Sequence, residues 1–433
     1  MITKKGTIYE KLIKETEVHS SLYTNPEIFN EELEKIWYKG WVFTGHESEV
    51  PQPGDYCTKF IGKQPVIMAR DHDGSVHVFT NKCPHLGNVI CHNSKGNART
   101  FRCNYHGWAF NNNGENLTVP YREGYGDCYS KNKEKFSLSS LPRMESYRGF
   151  IFTSMAKEGI SLMEHLGTAI EVIDRLCDLS PEGEIQLAGG WLKHKINTNW
   201  KVVYENEFDG YHPYFTHQSM AKLNNWTLVD DANAFNENAA TQVRYFGNGH
   251  VEVNYIPQFK KVGKKLMWVG TPDEKKLSSY VNKMEARYGK EIADQKLLEG
   301  APHAFIFPNL FIAEIFMLVI QPVSPGVTIQ NQTSILFKGA DDLNKRILRQ
   351  TGGSMGPAGM VISDDGAMYE RTWLGLQAGQ PEWLIRSRGL ERETTLEEGT
   401  IVSQVTDDTA HRAFWQDYKK MMSEEYSVGR DRN

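Results

Sequence analysis

Four residues between Asn81 and Phe110 have the types and spacing of a metal centre. Cys83 and His85 stand with one residue between them, Cys103 and His106 with two, and 17 residues separate His85 from Cys103. Each pair lies in a short turn that contains glycine, Gly87 in the first and Gly107 in the second, so two loops can close on one centre from opposite sides. Two thiolates and two imidazoles also suit zinc, but zinc fingers usually pair Cys with Cys and His with His. One Cys and one His from each loop suits a [2Fe–2S] cluster in which one iron takes both sulfurs and the other both nitrogens. Neutral imidazoles in place of two thiolates leave such a cluster less negative, which raises its potential above that of an all-Cys ferredoxin and makes it a one-electron relay.

A relay needs something to reduce, and a second set of ligand types follows in Trp200 to His217, WKVVYENEFDGYHPYFTH. Asp209, His212 and His217 supply a carboxylate and two imidazoles. On an ideal helix His212 and His217 project roughly 140° apart, too far to share an ion. Pro213 disfavours the α conformation at His212, so the turn between the histidines is expected to depart from a helix and bring the rings together. Two histidines and one carboxylate, with coordination positions left open, form the facial triad of non-haem Fe(II) oxygenases. Asp209 is so close to His212 that it is better placed to orient that ring than to bind metal. The third ligand is then Asp364 or Asp365, in GPAGMVISDDG, a pair that by itself reads as a solvated turn.

The elements that position these residues differ along the chain. Asn25-Pro26 opens a helix with Phe29, Leu33, Ile36 and Trp37 on one face. From Trp41 the pattern becomes short β runs, with a hairpin of Val66 to Ala69 and Val76 to Phe79 about Asp73-Gly74 leading into the first Cys/His loop. Thr100 to Arg102 leads into the second loop and Trp108 to Phe110 leads out. Beyond Ser154 come helices at Leu162 to Leu179, Lys275 to Leu298 and Asp408 to Met422. Strands are expected at Trp191 to Ile196, Val251 to Tyr255, Phe305 to Phe307, Ile315 to Ile320 and Thr328 to Phe337. Strands and helices are segregated, so the class is α+β with an antiparallel sheet. The expected organisation is a helical segment over 1–40 packed on the catalytic domain, a small β domain over 41–155 and a catalytic domain over 156–433.

With 433 residues, 39% hydrophobic and 11% aromatic, the chain can build a core and a second module. Lys and Arg total 49 against 54 Asp and Glu, a net charge of −5 that gives no reason to expect nucleic acid or an anionic membrane surface. The remaining cysteines, Cys57, Cys91, Cys128 and Cys177, have no paired spacing and read as reduced and mostly buried. The charged start MITKKGTIYEKLIKE lacks a signal-peptide core, and the most apolar stretch, Phe305 to Ile320, is broken by Pro308, Asn309 and Glu314. A soluble, cytoplasmic protein is expected. No G-x-G-x-x-G follows a strand, so NADH would be oxidised by another protein.

CPHLG, the 17-residue gap and CNYHGW resemble the Rieske motif. Taken with Glu205-Asn206 before D-x-Y-H-x-x-x-x-H and with GPAG before the Asp pair, the chain looks like the large (alpha) subunit of aromatic-ring-hydroxylating Rieske oxygenases. The likeness runs from the Phe29 helix to AFWQDYKKMM. It implies a Rieske domain inserted in a helix-grip catalytic domain. Cys83, His85, Cys103 and His106 would then hold the cluster, His212, His217 and Asp365 a mononuclear iron that uses O2, with Asp364 as a neighbour. The implied pocket is mostly apolar, lined by Asn206, Phe208, Ala301, His303, Ala313, Met355 and Val361. Implied partners are an aromatic substrate, a ferredoxin or an NADH-dependent reductase, and in many members a small β subunit, giving α3β3 or an α3 trimer. In the family a chain's own two centres are too far apart for rapid transfer, and Asp209 bridges His212 and a cluster histidine of the next subunit. The implied reaction is cis-dihydroxylation of an aromatic ring. Alternatives are monohydroxylation of an aromatic acid, as in salicylate hydroxylases, and, more remotely, a Rieske electron carrier without oxygenase activity.

Overall fold

Apolar runs bounded by turn residues make strands of Gln64–Arg70 and Val76–Thr80, which pair antiparallel across the Asp73-Gly74 turn. They belong to the smaller of two units into which the computed structural model divides, residues 37–159; the larger is formed by residues 1–36 and 160–433. The described residues are 6–223, 234–270 and 274–423, so Met1 to Lys5 of the charged amino-terminal stretch lie outside them.

The smaller unit is all antiparallel sheet with a few short helical turns. Four strands run in the order Val76–Thr80, Gln64–Arg70, Asp55–Ile61, Lys95–Asn97, and three short ones in the order Phe101–Arg102, Ala109–Phe110, Asn116–Thr118. A buried cluster that includes Ile67, Phe79, Phe101, Trp108, Phe110 and Leu138 also contains Cys83 and Cys103. The two Cys/His loops therefore grow directly from the hydrophobic core. Cys57, Cys91 and Cys177 are buried, whereas Cys128 is exposed. Burial pushes the Cys57 and Cys91 thiols up to about 12, which leaves them inert.

The larger unit is built on a nine-stranded antiparallel sheet. Its order is Leu192–Ile196, Val327–Ser334, Phe316–Ser324, Leu310–Ala313, His303–Ile306, His250–Asn254, Gln242–Gly247, Ile401–Gln404, Thr394–Thr395. The helix Thr409–Met422 packs on Gln242–Gly247 and Ile401–Gln404, and the helix Trp200–Asn206 on Phe316–Ser324. This is the expected α+β class with an antiparallel sheet, carrying an all-β domain inserted in the sequence. Glycines divide two of the expected helices: Leu162 to Leu179 breaks at Gly167 (φ 50°), and Lys275 to Leu298 becomes Ser278–Tyr288 and Lys290–Glu299 around Gly289 (φ 77°). Phe305 to Ile320 holds an extra strand, Leu310–Ala313, between the two expected ones. No helix among the described residues is long and apolar enough to cross a membrane.

The Asn25 side chain caps the helix Pro26–Glu32, accepting from the Glu27 N–H at 2.7 Å, and so delivers Glu32 into the core of the larger unit. There the Glu32 carboxylate accepts from Lys201 Nζ at 2.5 Å, Tyr418 OH at 2.5 Å and Trp200 Nε1 at 2.8 Å, all fully buried. Glu32→Ala leaves the Lys201 ammonium without its partner in a dry site, and should cost about 3–5 kcal/mol of stability. Chemical denaturation measures it, and a loss below about 1 kcal/mol would show that water reaches Lys201.

Candidate functional site

The two loops of the smaller unit close in the same way. Gly87 N–H donates to the Cys83 carbonyl at 2.9 Å and Cys83 N–H to the Asn88 carbonyl at 2.8 Å; Gly107 repeats the first bond to Cys103 at 2.9 Å, and Cys103 donates to Trp108 at 2.8 Å. Both glycines stand at φ 75°, a left-handed conformation in which a side chain would be strained. The turn so formed aims the backbone N–H groups of His85 and Leu86 at the Cys83 sulfur and those of Tyr105 and His106 at the Cys103 sulfur. Burial raises the Cys83 thiol. At Cys103 burial also acts upward, but these donors together with the Asn88 amide, 3.6 Å from Sγ, outweigh it and hold the thiol below its usual value.

Across the loops, like faces like. The sulfurs of Cys83 and Cys103 are neighbours in the core, and His85 Nδ1 lies 3.1 Å from His106 Nδ1 on the outer side. Trp108 stacks on the His85 ring at 5.3 Å, and the buried Asn81 ties the far end of the first loop to its start through Ile90 N–H and Cys91 N–H, both at 2.9 Å. Among the described residues, the sets that bring three ligand atoms within 4.8 Å of one another are His212–His217–Asp365 and the partly exposed Asp71–Asp73–His77. The four cluster residues are not gathered round a single point, as zinc ligands would be. A sulfur pair inside and a nitrogen pair outside fit a two-iron cluster.

In the larger unit the helix Trp200–Asn206 stops before Glu207, and after Gly210 the chain makes a single further turn, Pro213–Thr216. A Cβ at Gly210 would meet the Val405 carbonyl oxygen at 2.5 Å, so the chain passes here only without a side chain. His212 is α-helical (φ −72°, ψ −33°) despite preceding proline, contrary to the expectation from Pro213. The departure comes instead at His217 (φ −97°, ψ 36°), and it brings the ring centroids to 5.5 Å. The acidic pair is not in a turn either: it lies in the helix Met360–Leu376, whose buried face carries Ile362, Asp365, Tyr369 and Leu376. Helical geometry therefore turns Asp365 inward and leaves Asp364 more exposed, 36% against 7% for the side chains.

Asp365 Oδ1 lies 3.5 Å from His212 Nε2 and 3.3 Å from His217 Nε2, while Asp364 Oδ2 is 3.6 Å from His217 Nδ1. Burial alone would raise the Asp365 carboxyl, but the two imidazoles outweigh it and hold it at about 2. Asp365 Oδ1 is buried without a hydrogen-bond partner. A cation between these three atoms would satisfy it, and the separations are near the ~3 Å of adjacent ligands bound at about 2.1 Å. Asp209 stands behind His212, its Oδ2 3.8 Å from Nδ1 and its Oδ1 accepting from Tyr211 N–H at 2.6 Å. Burial lowers the His212 pKa, but Asp365 and Asp209 outweigh it and leave it raised.

A cavity of about 180 Å³ opens beside these ligands. Of the pocket residues inferred by resemblance, Asn206, His303, Ala313, Met355 and Val361 line it. Phe208 and Ala301 do not: the Phe208 ring packs on Tyr204 and His411, each at 4.9 Å, and Ala301 is buried away from the lining. Sequence reasoning missed Glu207 and Glu314, both on the lining. It also missed why Glu205 precedes Asn206: that carboxylate accepts from Tyr23 OH at 2.5 Å and Trp415 Nε1 at 2.7 Å, anchoring the ligand-bearing segment.

Residues 40–138 match the Rieske [2Fe-2S] domain family, and residues 185–424 match the ring hydroxylating alpha subunit (catalytic domain) family. The chain is 30% identical to the toluate 1,2-dioxygenase subunit alpha of Pseudomonas putida over 79% of this chain and 75% of that protein. It is also 30% identical to the large oxygenase component of the naphthalene 1,2-dioxygenase system of Ralstonia sp, over 96% and 94%. Naphthalene 1,2-dioxygenase solved with indole bound in its active site superposes with a TM-score of 0.78 at 26% identity, covering 95% of this chain and 94% of that one. A cluster domain and an iron domain that both match, in one chain aligned along nearly its whole length with large oxygenase components, place this protein in the family of Rieske ring-hydroxylating oxygenase alpha subunits.

Proposed function

We propose that this chain is the terminal oxygenase of a multicomponent system, with Cys83, His85, Cys103 and His106 holding the [2Fe–2S] cluster and His212, His217 and Asp365 holding the mononuclear iron. Bound there, the cluster would supply one-electron transfer and the ferrous ion would supply O2 activation, for cis-dihydroxylation of an aromatic ring. The observation that carries it is the approach of both Nε2 atoms to one buried carboxylate oxygen that has no other partner. Asp365 supplies the negative charge, its helix and the single turn Pro213–Thr216 fix the approach of the three groups, and Asp209 orients the His212 ring from behind. Aromatic and aliphatic side chains such as Phe311, Phe316 and Ile362 keep water from the ring and hold it flat beside the ligands. Residues 1–40 act as a helical segment of the catalytic domain, 41–155 as the electron-entry domain and 156–433 as the oxygenating domain.

The electron donor is a ferredoxin or an NADH-dependent reductase. The working form is a ring of three alpha subunits, with or without three small β subunits, in which the cluster of one subunit serves the iron of the next, all in the cytoplasm. Aromatic-acid monohydroxylation draws no support from the cavity, whose described lining contains neither Lys nor Arg.

Anaerobically purified protein should contain about three irons and two acid-labile sulfides per chain. Cys83→Ser should lose the sulfide and the visible colour of the cluster. Zinc bound without sulfide would sink the assignment.

A further inference from the structure

The cavity carries carboxyl groups as well as aromatic rings. Glu207 and Glu314 line it together with His303, whose Nδ1 lies 3.0 Å from Glu314 Oε1 and whose Nε2 lies 3.2 Å from the Glu207 carbonyl oxygen. A carboxylate and a carbonyl are both acceptors, so both ring nitrogens already face acceptors of the protein. His303 therefore has no N–H directed at a substrate. Nothing cationic is left on the described wall to meet an anionic substrate, because no described lining residue is Lys or Arg.

Glu314 is also held in place at a cost. It stands at φ 47° between the strands Leu310–Ala313 and Phe316–Ser324, in a left-handed conformation that is unfavourable by about 1 kcal/mol for a residue with a side chain. Its N–H donates to the Pro302 carbonyl at 3.0 Å, which fixes the turn. Its side chain is 18% exposed and belongs to the cavity lining. Glu207 is tighter: one oxygen accepts from Tyr369 OH at 3.2 Å and lies 3.4 Å from Gln330 Nε2.

We propose that Glu314, held by His303 on the cavity wall, binds a nitrogen-centred hydrogen-bond donor on the substrate, so that this oxygenase takes arenes bearing an amine or ammonium group and rejects aromatic carboxylates. The proposal rests on the oxygenase reading above. An ammonium or N–H group satisfies the second oxygen of Glu314 with a charge-assisted bond, which contributes about 1.5–3 kcal/mol. A hydrocarbon of the same shape strips water from that oxygen and returns nothing, and a carboxylate adds like charge to it.

Calorimetric titration of the holoenzyme, cluster oxidised, with benzylamine, ethylbenzene and phenylacetate tests this. Benzylammonium should bind about ten- to a hundredfold more tightly than ethylbenzene, its near-isostere, and phenylacetate more weakly than either. Glu314→Gln should bring benzylammonium to within about threefold of ethylbenzene. Glu314→Gly should lose the preference equally, and because glycine relaxes the φ 47° turn its melting temperature should not fall, which separates lost recognition from lost folding. Equal binding of the amine and ethylbenzene, tightest binding of phenylacetate, or a preference that survives both variants would each overturn the proposal. Should ethylbenzene bind and be hydroxylated with no preference for the amine, only this proposal falls. Should no arene bind to protein with an intact cluster spectrum, the oxygenase reading falls with it.

Discussion

Asp365→Ala should abolish oxygenation and remove one iron per chain while leaving the cluster reducible. The size of the effect follows from what the carboxylate does. It is the negative member of the His212–His217–Asp365 set, it is held ionised at about 2, and both imidazoles face the same oxygen. Alanine leaves two neutral nitrogens, too weak a set to hold a divalent ion that binds oxygen donors well. Asp364→Ala should be mild, because its oxygen faces His217 Nδ1 from outside the set and its side chain is 36% exposed. Metal analysis and product assay of both variants decide the matter. If Asp364→Ala is the one that loses iron, the assignment within the pair is reversed.

Asp209→Asn should retain iron and a reducible cluster yet slow product formation by about 100-fold or more. The carboxylate does not touch the proposed metal atoms. It stands 3.8 Å behind His212 Nδ1, with its side chain 28% exposed, so one face is open to a second donor. In the proposed ring that donor is His106 of the next subunit, itself exposed on its loop. Asparagine keeps the shape and removes the charge that orients both rings. Rapid mixing of reduced protein with substrate and O2 should show slow cluster reoxidation, and a wild-type rate would mean that the electron takes another route.

How far the sequence led depended on whether function was written in spacing or in conformation. The cluster loops were legible because Cys-x-His and Cys-x-x-His with glycine after each is a local pattern, and the chain folds each loop on itself through Gly87 and Gly107. The nine-stranded sheet was only partly legible: Leu310–Ala313 is separated from Phe316–Ser324 by a turn that needs φ 47° at a glutamate, which no residue preference announces. Residue types and spacing left Asp365 undistinguished from Asp364, and only the family resemblance chose it. In GPAGMVISDDG the acidic pair beside Gly366 reads as a solvated turn, while the helix is set by Ile362, Asp365 and Tyr369 packing inward. Glu207 was not singled out; it lies just past the helix that ends at Asn206 and is buried, and the neighbouring Phe208 is buried with its ring on Tyr204 and His411.

If O2 is put on the substrate at this chain's own His212–His217–Asp365 site, a single turnover of chemically reduced holoenzyme, without any reductase, mixed with ethylbenzene and 18O2, should show it. A ring-hydroxylated product carrying two labelled oxygens is expected, in an amount close to the mononuclear iron present, as the cluster reoxidises. Cluster reoxidation with no labelled product would contradict it and leave the chain an electron carrier.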